Sequence, residues 1–474
     1  MSATVALDRR LEHVFNFLRS ISYCLLLGIT VPTFGQGFSA GHMHMLVICP
    51  DSSAMAWGQG VSGALGNGGN TQSAVPLVVS LPIAVVSVSA GAEHSVALDA
   101  TGNVWAWGNN DYGQLGIGNN STSLLPTPVT TLQDITAIHA RNEHTLALKA
   151  DSTVWAWGWN AYYQLGDGSA TDSNDPVQVI GLAEVVSIES GWYHSFARKS
   201  DGTVWGWGYN PTGQLGNGTT TSTNVPVQVA ALSNTTAIAA GWSHSLAIAA
   251  DGTVRAWGEN DHGQLGNGGG TMSIVPIQVS ALDSVAQIAA SYGFSLALRM
   301  DGTVWAWGWN THGQLGDGTT SDSDLPLMVQ GLTGVVSIGI GWRYALAIKD
   351  DGSVWTWGWN QAGSLGDGSF VDSHIPVQVI GSCDLSTNVE GAIGPVAGLG
   401  VFPNPCNGVL GYRLPDDTLF PIRMEVLDLS GRLIHSEQVT SSAGSLDLQH
   451  LSKGSYFLSL PDAHRMLPTR LLVE

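Results

Sequence analysis

The chain has 474 residues, of which 60 are Gly and 18 are Trp, and its formal net charge is −20. Because 44% of the residues are hydrophobic and only 11% are charged, the composition excludes a disordered chain and favours a globular protein with many tight turns. The acidic balance would repel a phosphate backbone, so we expect no nucleic-acid partner.

Residues 1–36 have the pattern of a secretory signal peptide. Arg9, Arg10 and Arg19 precede an apolar run at residues 21–29, which is the order of charged and apolar regions in such signals. The run is too short to span a bilayer, and no other stretch of the sequence is long enough. We therefore expect export without a transmembrane span.

The pair Trp-Gly recurs at a fixed interval of 50 residues through most of the remaining chain. Most copies open the phrase W-G-x-N-x-x-G-Q-L-G-x-G, as residues 107–118 do. Seven equal units without insertions predict a closed or stacked array in which each unit occupies an equivalent place. The tryptophans of these pairs are Trp57, Trp107, Trp157, Trp207, Trp257, Trp307 and Trp357.

One unit contains four short runs with the alternation of β-strands. In the fifth unit these runs are residues 225–230, 236–240, 243–249 and 253–257, and a type I′ turn signal, Asp251-Gly252, separates the last two. Four antiparallel strands in about 50 residues make one blade of a β-propeller. We therefore predict an all-β protein with a seven-bladed β-propeller over residues 37–382.

The two ends of the array suggest how the ring closes. Residues 42–57 match the third and fourth runs of later units, while residues 377–379 match the first run. The last blade is therefore expected to combine one strand from the C-terminal side with two or three from the N-terminal side. Ring closure could also bring Cys49 to Cys383, but free thiols are an equal alternative.

The repeat phrases resemble those of the regulator of chromosome condensation family. The resemblance is carried by phrases such as residues 241–248, 251–258 and 260–268, and it covers about residues 37–382. It implies a seven-bladed propeller. The eukaryotic namesake exchanges guanine nucleotide on a small nuclear GTPase, a partner that an exported acidic protein does not meet. A similar secreted bacterial inhibitor of β-lactamases uses its propeller to bind a protein.

Residues 399–474 resemble the C-terminal sorting domain of the type IX secretion system. The phrases at residues 401–405, 424–432 and 454–458 and an apolar C-terminal strand carry this resemblance. The segment also has several short alternating strands with a Ser-Gly turn, which fits a small β-sandwich. The resemblance implies contact with the type IX machinery, passage across an outer membrane and attachment to the cell surface. Residues 383–398 lack periodicity and are interpreted as a linker.

A histidine recurs at one position of five units. A ring of imidazoles could hold a metal, but Phe294 and Tyr344 stand at the same position of the last two units and cannot replace a ligand. We therefore expect the histidines and the Trp-Gly tryptophans to pack between blades, and we predict neither a metal site nor a cofactor. These histidines are His44, His94, His144, His194 and His244.

Two loop acid clusters, at residues 167–175 and 317–324, fit solvated turns better than a defined calcium loop, although calcium stays open. The same acids, including Asp317 and Asp322, are the best candidates for hydrolytic chemistry. No acid and base recur in a fixed geometry, so we predict no catalytic residue and no enzyme activity.

The positions at which the repeat varies are the candidates for binding. Two residues before the histidine position, and directly after each Trp-Gly pair, some units carry aromatic residues and others Ala, Asn, Gln or Glu. Both positions fall in loops, where exposed aromatic rings suit protein or glycan binding; packing between blades is the alternative. The candidate residues are Trp192, Trp242, Tyr292, Trp342, Trp159, Tyr209, Trp309 and Trp359.

The sequence thus predicts a secreted or cell-surface binding module without catalytic activity, whose ligand is an unidentified protein or glycan. The alternative is a structural surface or adhesion component without a dedicated site.

Overall fold

The computed structural model describes residues 37–383 and, further on, residues 400–402, 409–413, 422–427, 433–440, 443–448, 451, 454–459 and 469–473. The chain divides into two compact units, Met1–Asn388 and Val389–Glu474. The predicted signal peptide and all of the predicted linker except residue 383 lie outside the described residues.

The first unit contains seven four-stranded antiparallel sheets, each made of four consecutive strands. Blades 1–4 contain β1 (Phe38–Ala40), β2 (His44–Ile48), β3 (Ala54–Gly58), β4 (Ser73–Val78), β5 (Val85–Ala90), β6 (His94–Asp99), β7 (Val104–Gly108), β8 (Ser123–Pro128), β9 (Ile135–Arg141), β10 (His144–Lys149), β11 (Val154–Gly158), β12 (Ser173–Gln178), β13 (Val185–Ser190), β14 (His194–Lys199), β15 (Val204–Gly208) and β16 (Thr223–Gln228). Blades 5–7 contain β17 (Thr235–Ala240), β18 (His244–Ala249), β19 (Val254–Gly258), β20 (Ser273–Gln278), β21 (Val285–Ala290), β22 (Phe294–Arg299), β23 (Val304–Gly308), β24 (Ser323–Met328), β25 (Val335–Ile340), β26 (Tyr344–Lys349), β27 (Val354–Gly358) and β28 (Ser373–Gln378). The predicted all-β class and seven-bladed propeller are confirmed.

The predicted assignment of strands to blades was wrong by one strand. The run at residues 225–230 was assigned to the strands that follow it, but β16 pairs with β15, which precedes it, with Trp205 opposite Gln228. The loop after each Trp-Gly pair returns the chain to the same sheet, so the fourth strand of a blade follows the pair. No blade is therefore shared between the two ends of the propeller, and the predicted mixed blade does not form.

Side-chain contacts between blades 1 and 7 close the ring instead. The indole Nε1 of Trp57 donates to the carbonyl of Ser364 at 3.0 Å, and the Tyr344 hydroxyl donates to the carbonyl of His44 at 2.8 Å. A disulfide joins Cys49 to Cys383, with 5.6 Å between their Cα atoms. The disulfide that the sequence left open is therefore present, and it links the two ends of the propeller covalently.

The hydrophobic core of the propeller lies between neighbouring blades. Between blades 3 and 4, for example, Leu146, Leu165 and Val179 pack against Trp207, and all four side chains are buried. A blade has two faces to cover, so each blade depends on both of its neighbours. The positive φ of Gly116 (+67°) turns the chain beside Trp157, where a Cβ would lie 2.8 Å from the indole nitrogen, so this position requires Gly.

The described strands of the second unit form two antiparallel sheets. A three-stranded sheet has the order β29–β30–β33, and a four-stranded sheet has the order β32–β31–β34–β35. Met424, Val426, Leu446 and Leu448 are buried. The packing of these sheets as a sandwich stays a prediction. The strands are β29 (Gly400–Phe402), β30 (Val409–Arg413), β31 (Ile422–Leu427), β32 (Leu433–Val439), β33 (Ala443–Asp447), β34 (Gly454–Ser459) and β35 (Thr469–Val473).

Candidate functional site

A hydrogen-bonded chain joins each histidine of the repeat to the next blade. The Nε2 atom of His144 lies 3.0 Å from the Ser195 hydroxyl, and that hydroxyl donates to the carbonyl of Gln164 at 2.9 Å. The indole of Trp207 donates to the same carbonyl at 2.8 Å. Because the Ser195 hydrogen is used on the carbonyl, the network assigns the hydrogen of His144 to Nε2. The predicted packing role of the histidines and tryptophans is confirmed.

The same hydrogen-bond network explains why two units can lack the histidine. The hydroxyl partner stands 51 residues after each histidine, as Ser95 does after His44. The residue 51 positions after Phe294 is Ala345, which has no hydroxyl. Tyr344 is in the last blade and faces blade 1 across the ring closure, and there Met45 occupies the position of the hydroxyl residue. Histidine and hydroxyl thus occur together or are both absent, as expected when an unpaired buried hydroxyl costs free energy.

Burial keeps these five imidazoles neutral. It lowers the pKa of His144 to about 3 and that of His44 to about 4. For His94, burial is the main cause and the neighbouring imidazoles add to it, so that its pKa is also about 3. Nδ1 of each has no hydrogen-bond partner among the described residues, so a second proton would be buried without an acceptor. These groups maintain the ring and are closed to a ligand.

The candidate aromatic residues lie on one face of the propeller, which we call the upper face. It carries the loops between the first and second strands and between the third and fourth strands of every blade. Four of the candidates meet His42 at its centre in a group that we call the central plug. Trp192 and Trp242 stack with ring centroids 4.5 Å apart, and Tyr292 lies 4.3 Å from Trp242. Trp342 completes the plug at 4.3 Å from the His42 ring.

Some candidate rings in and beside the central plug are less exposed than the sequence predicted. Trp192 is only 7% exposed, and Trp359, 6.0 Å from Trp342, is only 9% exposed. The expectation of free rings was wrong for these two, because loops that converge on the propeller axis bring their side chains into mutual contact. The other six candidates are partly buried.

Trp159 and Tyr209 belong to a second group, which we call the tyrosine cluster and define as Tyr112, Trp159, Tyr162, Tyr193 and Tyr209. Tyr162 is its centre, with ring centroids 5.2 Å from Trp159, 5.0 Å from Tyr193 and 4.8 Å from Tyr209. Tyr112 and Tyr162 are 39% and 37% exposed. Sequence reasoning missed three of the five members, although Tyr162 and Tyr193 stand in the same loops as candidates and Tyr112 stands in the equivalent loop of blade 2.

Trp309 contacts an arginine that the sequence analysis also missed. The guanidinium carbon of Arg343 lies 3.8 Å from the ring centroid of Trp342, 4.6 Å from that of Trp309 and 5.3 Å from that of Tyr292. These distances are those of cation–π contacts. Arg343 follows Trp342 directly, as Tyr193 follows Trp192. The position next to the central plug therefore holds a cation in blade 7 and a phenol in blade 4.

Below the central plug, the first strands of the blades surround a cavity of about 370 Å³. The guanidinium of Arg141 crosses from blade 3 and donates to the carbonyls of Ala40, Ile340 and Ala290 at 3.1–3.3 Å. Burial raises the pKa of Glu189 to about 8, against the opposing charge of Arg141. Arg141 thus connects four blades across the channel.

The loop acids considered for calcium or catalysis are used within the turns. Asp322 accepts from the backbone N–H of Asn310 at 2.8 Å, and its second oxygen lies 2.9 Å from His262 Nδ1 in the preceding blade. Asp317 accepts from the Asn310 amide and from Thr319. Over the described residues, no group of three or more His, Cys, Asp or Glu side chains is placed to hold a metal ion.

The fold and its repeated contacts define a repeat protein of the β-propeller class. Residues 36–236 match the RCC1-like domain, and residues 251–298, 301–348 and 351–389 match the regulator of chromosome condensation (RCC1) repeat. A second description of that repeat matches residues 236–264, 285–314 and 335–364. The chain belongs to the family of proteins built from RCC1 repeats.

Solved structures show the same fold. The structure of human WBSCR16 is 26% identical, with a TM-score of 0.64 over 69% of this chain and 93% of that chain. Yeast RCC1 (Prp20) bound to Kap60 is 23% identical, with a TM-score of 0.64 over 71% of this chain and 85% of the yeast chain. Prp20p from Saccharomyces cerevisiae, a structure reported with its binding to Gsp1p and histones, is also 23% identical. No curated protein sequence matches the chain.

Residues 400–474 match the secretion system C-terminal sorting domain. The protein is therefore a secreted propeller, handled by the type IX machinery and directed to the outer cell surface. In the parts of the chain that the structure describes, no helix has the length and apolar character needed to cross a membrane.

Proposed function

We propose that the propeller is a non-catalytic binding module of the outer cell surface that holds a protein or glycan ligand on its upper face. One observation carries the proposal: aromatic side chains from blades 2–7 form contacts on that single face, at positions where the repeat varies. The inter-blade positions keep the ring closed, whereas the loop positions differ from blade to blade. Such variation is expected where a repeat protein recognises a ligand.

The exposed part of the upper face is the best contact surface. The rings of the central plug pack against one another, and Trp192 in particular is buried. The tyrosine cluster combines large ring area with exposure at Tyr112 and Tyr162, and rings of this type contribute strongly to protein and sugar binding. The ligand is therefore expected to contact the tyrosine cluster first and to use the central plug as support.

The chemistry of the face favours binding over catalysis. Asp317 and Asp322, the strongest acid candidates, are engaged in turn and inter-blade hydrogen bonds. The contact of Asp322 with His262 is an exposed link between two blades and does not line the cavity on the propeller axis. General acid–base catalysis needs its acid and base around a bound substrate.

The test compares two sites on the intact secreted protein. The double variant Tyr162→Ala, Tyr209→Ala removes one exposed and one partly buried ring of the tyrosine cluster. The control Met300→Ala removes a 65% exposed side chain in the turn at the opposite end of blade 6. Each protein is applied to a glycan array and to a pull-down from the extracellular fraction. We expect at least a tenfold loss of capture for the double variant alone. Equal capture by all three proteins would show that the tyrosine cluster is not the contact surface, and no capture by any of them would indicate a structural surface component without a dedicated site.

A further inference from the structure

The tyrosine cluster has the geometry of a site that holds a cation. Five rings lie in one connected group, and the face of an aromatic ring is negative and attracts a cation at short distance. Tyr193 lies 5.9 Å from Tyr209, and Trp159 lies 5.6 Å from Tyr112. Two members are more than one-third exposed, so a ligand can reach the group from solvent.

The same face already binds one guanidinium within its own chain. Arg343 occupies the position of blade 7 that corresponds to Tyr193 in blade 4, and three aromatic rings surround its guanidinium at 3.8–5.3 Å. Burial lowers the pKa of Arg343, while the phenol of Tyr292 opposes this shift. The aromatic loops of this propeller are therefore able to hold an arginine side chain.

Carboxyl groups border the tyrosine cluster on the side of blade 2. The backbone N–H of Trp159 donates to the carbonyl of Glu143 at 2.8 Å, and the Glu143 carboxylate accepts from the Gln114 amide. Burial and the charge of Glu93 raise the pKa of Glu143 to about 8; the Gln114 hydrogen bond opposes this, and Asp111 adds to it. A cation placed here would be attracted by the carboxylates of Glu93 and Asp111, and it would favour the ionised form of Glu143.

We infer that the tyrosine cluster, with Glu93, Asp111 and Glu143 at its border, binds the basic side chains of a peptide segment of a partner protein, with arginine preferred. Arginine fits best because its planar guanidinium stacks on aromatic rings and its donors reach carboxylates at the same time. The net charge of −20 adds long-range attraction for a basic partner. This inference rests on the binding role proposed for the upper face and names the class of its ligand.

The probe is the peptide acetyl-Gly-Arg-Gly-Arg-Gly-amide, and its control is the same peptide with citrulline in place of arginine. Citrulline keeps the shape of the side chain and removes the charge. We expect the arginine peptide to bind the secreted protein at least tenfold more tightly than the citrulline peptide, and high salt to weaken it. Equal affinity of the two peptides would overturn the inference.

Variants locate the site on the molecule. Glu143→Gln preserves the hydrogen-bonding shape and is expected to weaken the arginine peptide about fivefold. Glu259→Gln makes the same substitution in blade 5 of the same face and is expected to change little. If both variants weaken binding equally, general charge attraction explains it and the inference fails.

Proton release on binding distinguishes a direct role of Glu143 from a purely structural one. The groups that face the Glu143 carboxyl are Glu93, Asp111 and the Gln114 amide. A bound cation favours the ionised carboxylate, so binding at neutral pH should release protons, and Glu143→Gln should abolish that release. Calorimetry in two buffers with different ionisation enthalpies measures it; an identical release in wild type and Glu143→Gln contradicts the assignment.

The failure of this inference can be told apart from that of the proposed function. If Tyr162→Ala, Tyr209→Ala abolishes capture of a glycan or protein while neither peptide binds, the upper face is a binding surface for a different ligand class. If the double variant changes nothing and neither peptide binds, both proposals are wrong.

Discussion

Acid should destabilise the propeller by protonating its buried histidines. One pair of substitutions can measure the effect of a single histidine, His144. The double variant His144→Phe, Ser195→Ala copies an interface that the chain already contains between blades 6 and 7. There Phe294 is fully buried and Ala345 stands where the hydroxyl would be. The replacement should therefore fit, and it removes one titrating group without leaving an unpaired partner.

The sign and size follow from the pKa of His144. Its pKa is 6.5 in the unfolded chain and about 3 in the folded protein, so the unfolded chain binds the additional proton between these values. The free energy of unfolding therefore falls as the pH falls below about 6.5. At about pH 5 the loss is about 2 kcal/mol for each such histidine. Five of them together would remove about 10 kcal/mol, a large part of the stability of an ordinary domain.

Urea unfolding followed by tryptophan fluorescence, at about pH 8 and about pH 5, tests this expectation. The wild type should lose much more stability than the double variant on acidification, with a difference of about 2 kcal/mol between the two proteins. The single variant His144→Phe, which keeps the Ser195 donation to Gln164, should give the same pH difference with a somewhat lower stability at both values. Identical pH dependence in wild type and double variant would mean that His144 is protonated in the folded protein, and the reasoning would be wrong.

Three further predictions concern the ring itself. Gly116→Ala should cost about 1–3 kcal/mol more than Gly118→Ala in urea unfolding, because both positions have positive φ but only the first directs a Cβ against an indole, at 2.8 Å. Reducing the Cys49–Cys383 disulfide, which closes a loop of 334 residues, should cost about 5 kcal/mol, measured by the same unfolding with and without reductant. Arg141→Met should cost about 3 kcal/mol or more, because three buried carbonyls lose their donor; an unchanged midpoint would refute the role of Arg141 across the channel.

The repeat allowed the fold to be predicted because its physical signals are local. Each unit of 50 residues contains its own turn signal, such as Asp251-Gly252, its own alternating strands and its own buried tryptophan. The role of the histidines also followed, since Phe294 and Tyr344 at the same position exclude a metal ring. A period, however, does not show where one unit ends. The wrong assignment of β16 arose because the pairing of Trp205 with Gln228 depends on the loop between them.

The arrangement of the upper face could be predicted only in part. The variable loop positions were found, but which rings meet at the axis depends on the convergence of seven loops, which the sequence of one loop does not contain. Trp192 became buried for this reason. Tyr162, Tyr193 and Arg343 were missed because they lie one or three residues from the positions that were compared. Several of their contacts also join residues 31 positions apart, as between Arg343 and His312 and between Tyr162 and Tyr193.

The different constraints on the two sets of positions explain how a repeating fold can present an asymmetric surface. A change at the histidine position must be matched 51 residues later, as Ala345 matches Phe294, because the group is buried between two blades. A loop position on the upper face has solvent on one side, so Tyr193 and Arg343 can replace each other in sister blades without altering the sheets beneath. The ring can therefore stay nearly regular while its face becomes acidic beside blade 2, aromatic in blades 3 and 4 and basic beside blade 7. Each combination of charged and aromatic groups occurs at one place on this face. A ligand should therefore bind the seven-bladed ring at one place and not at seven.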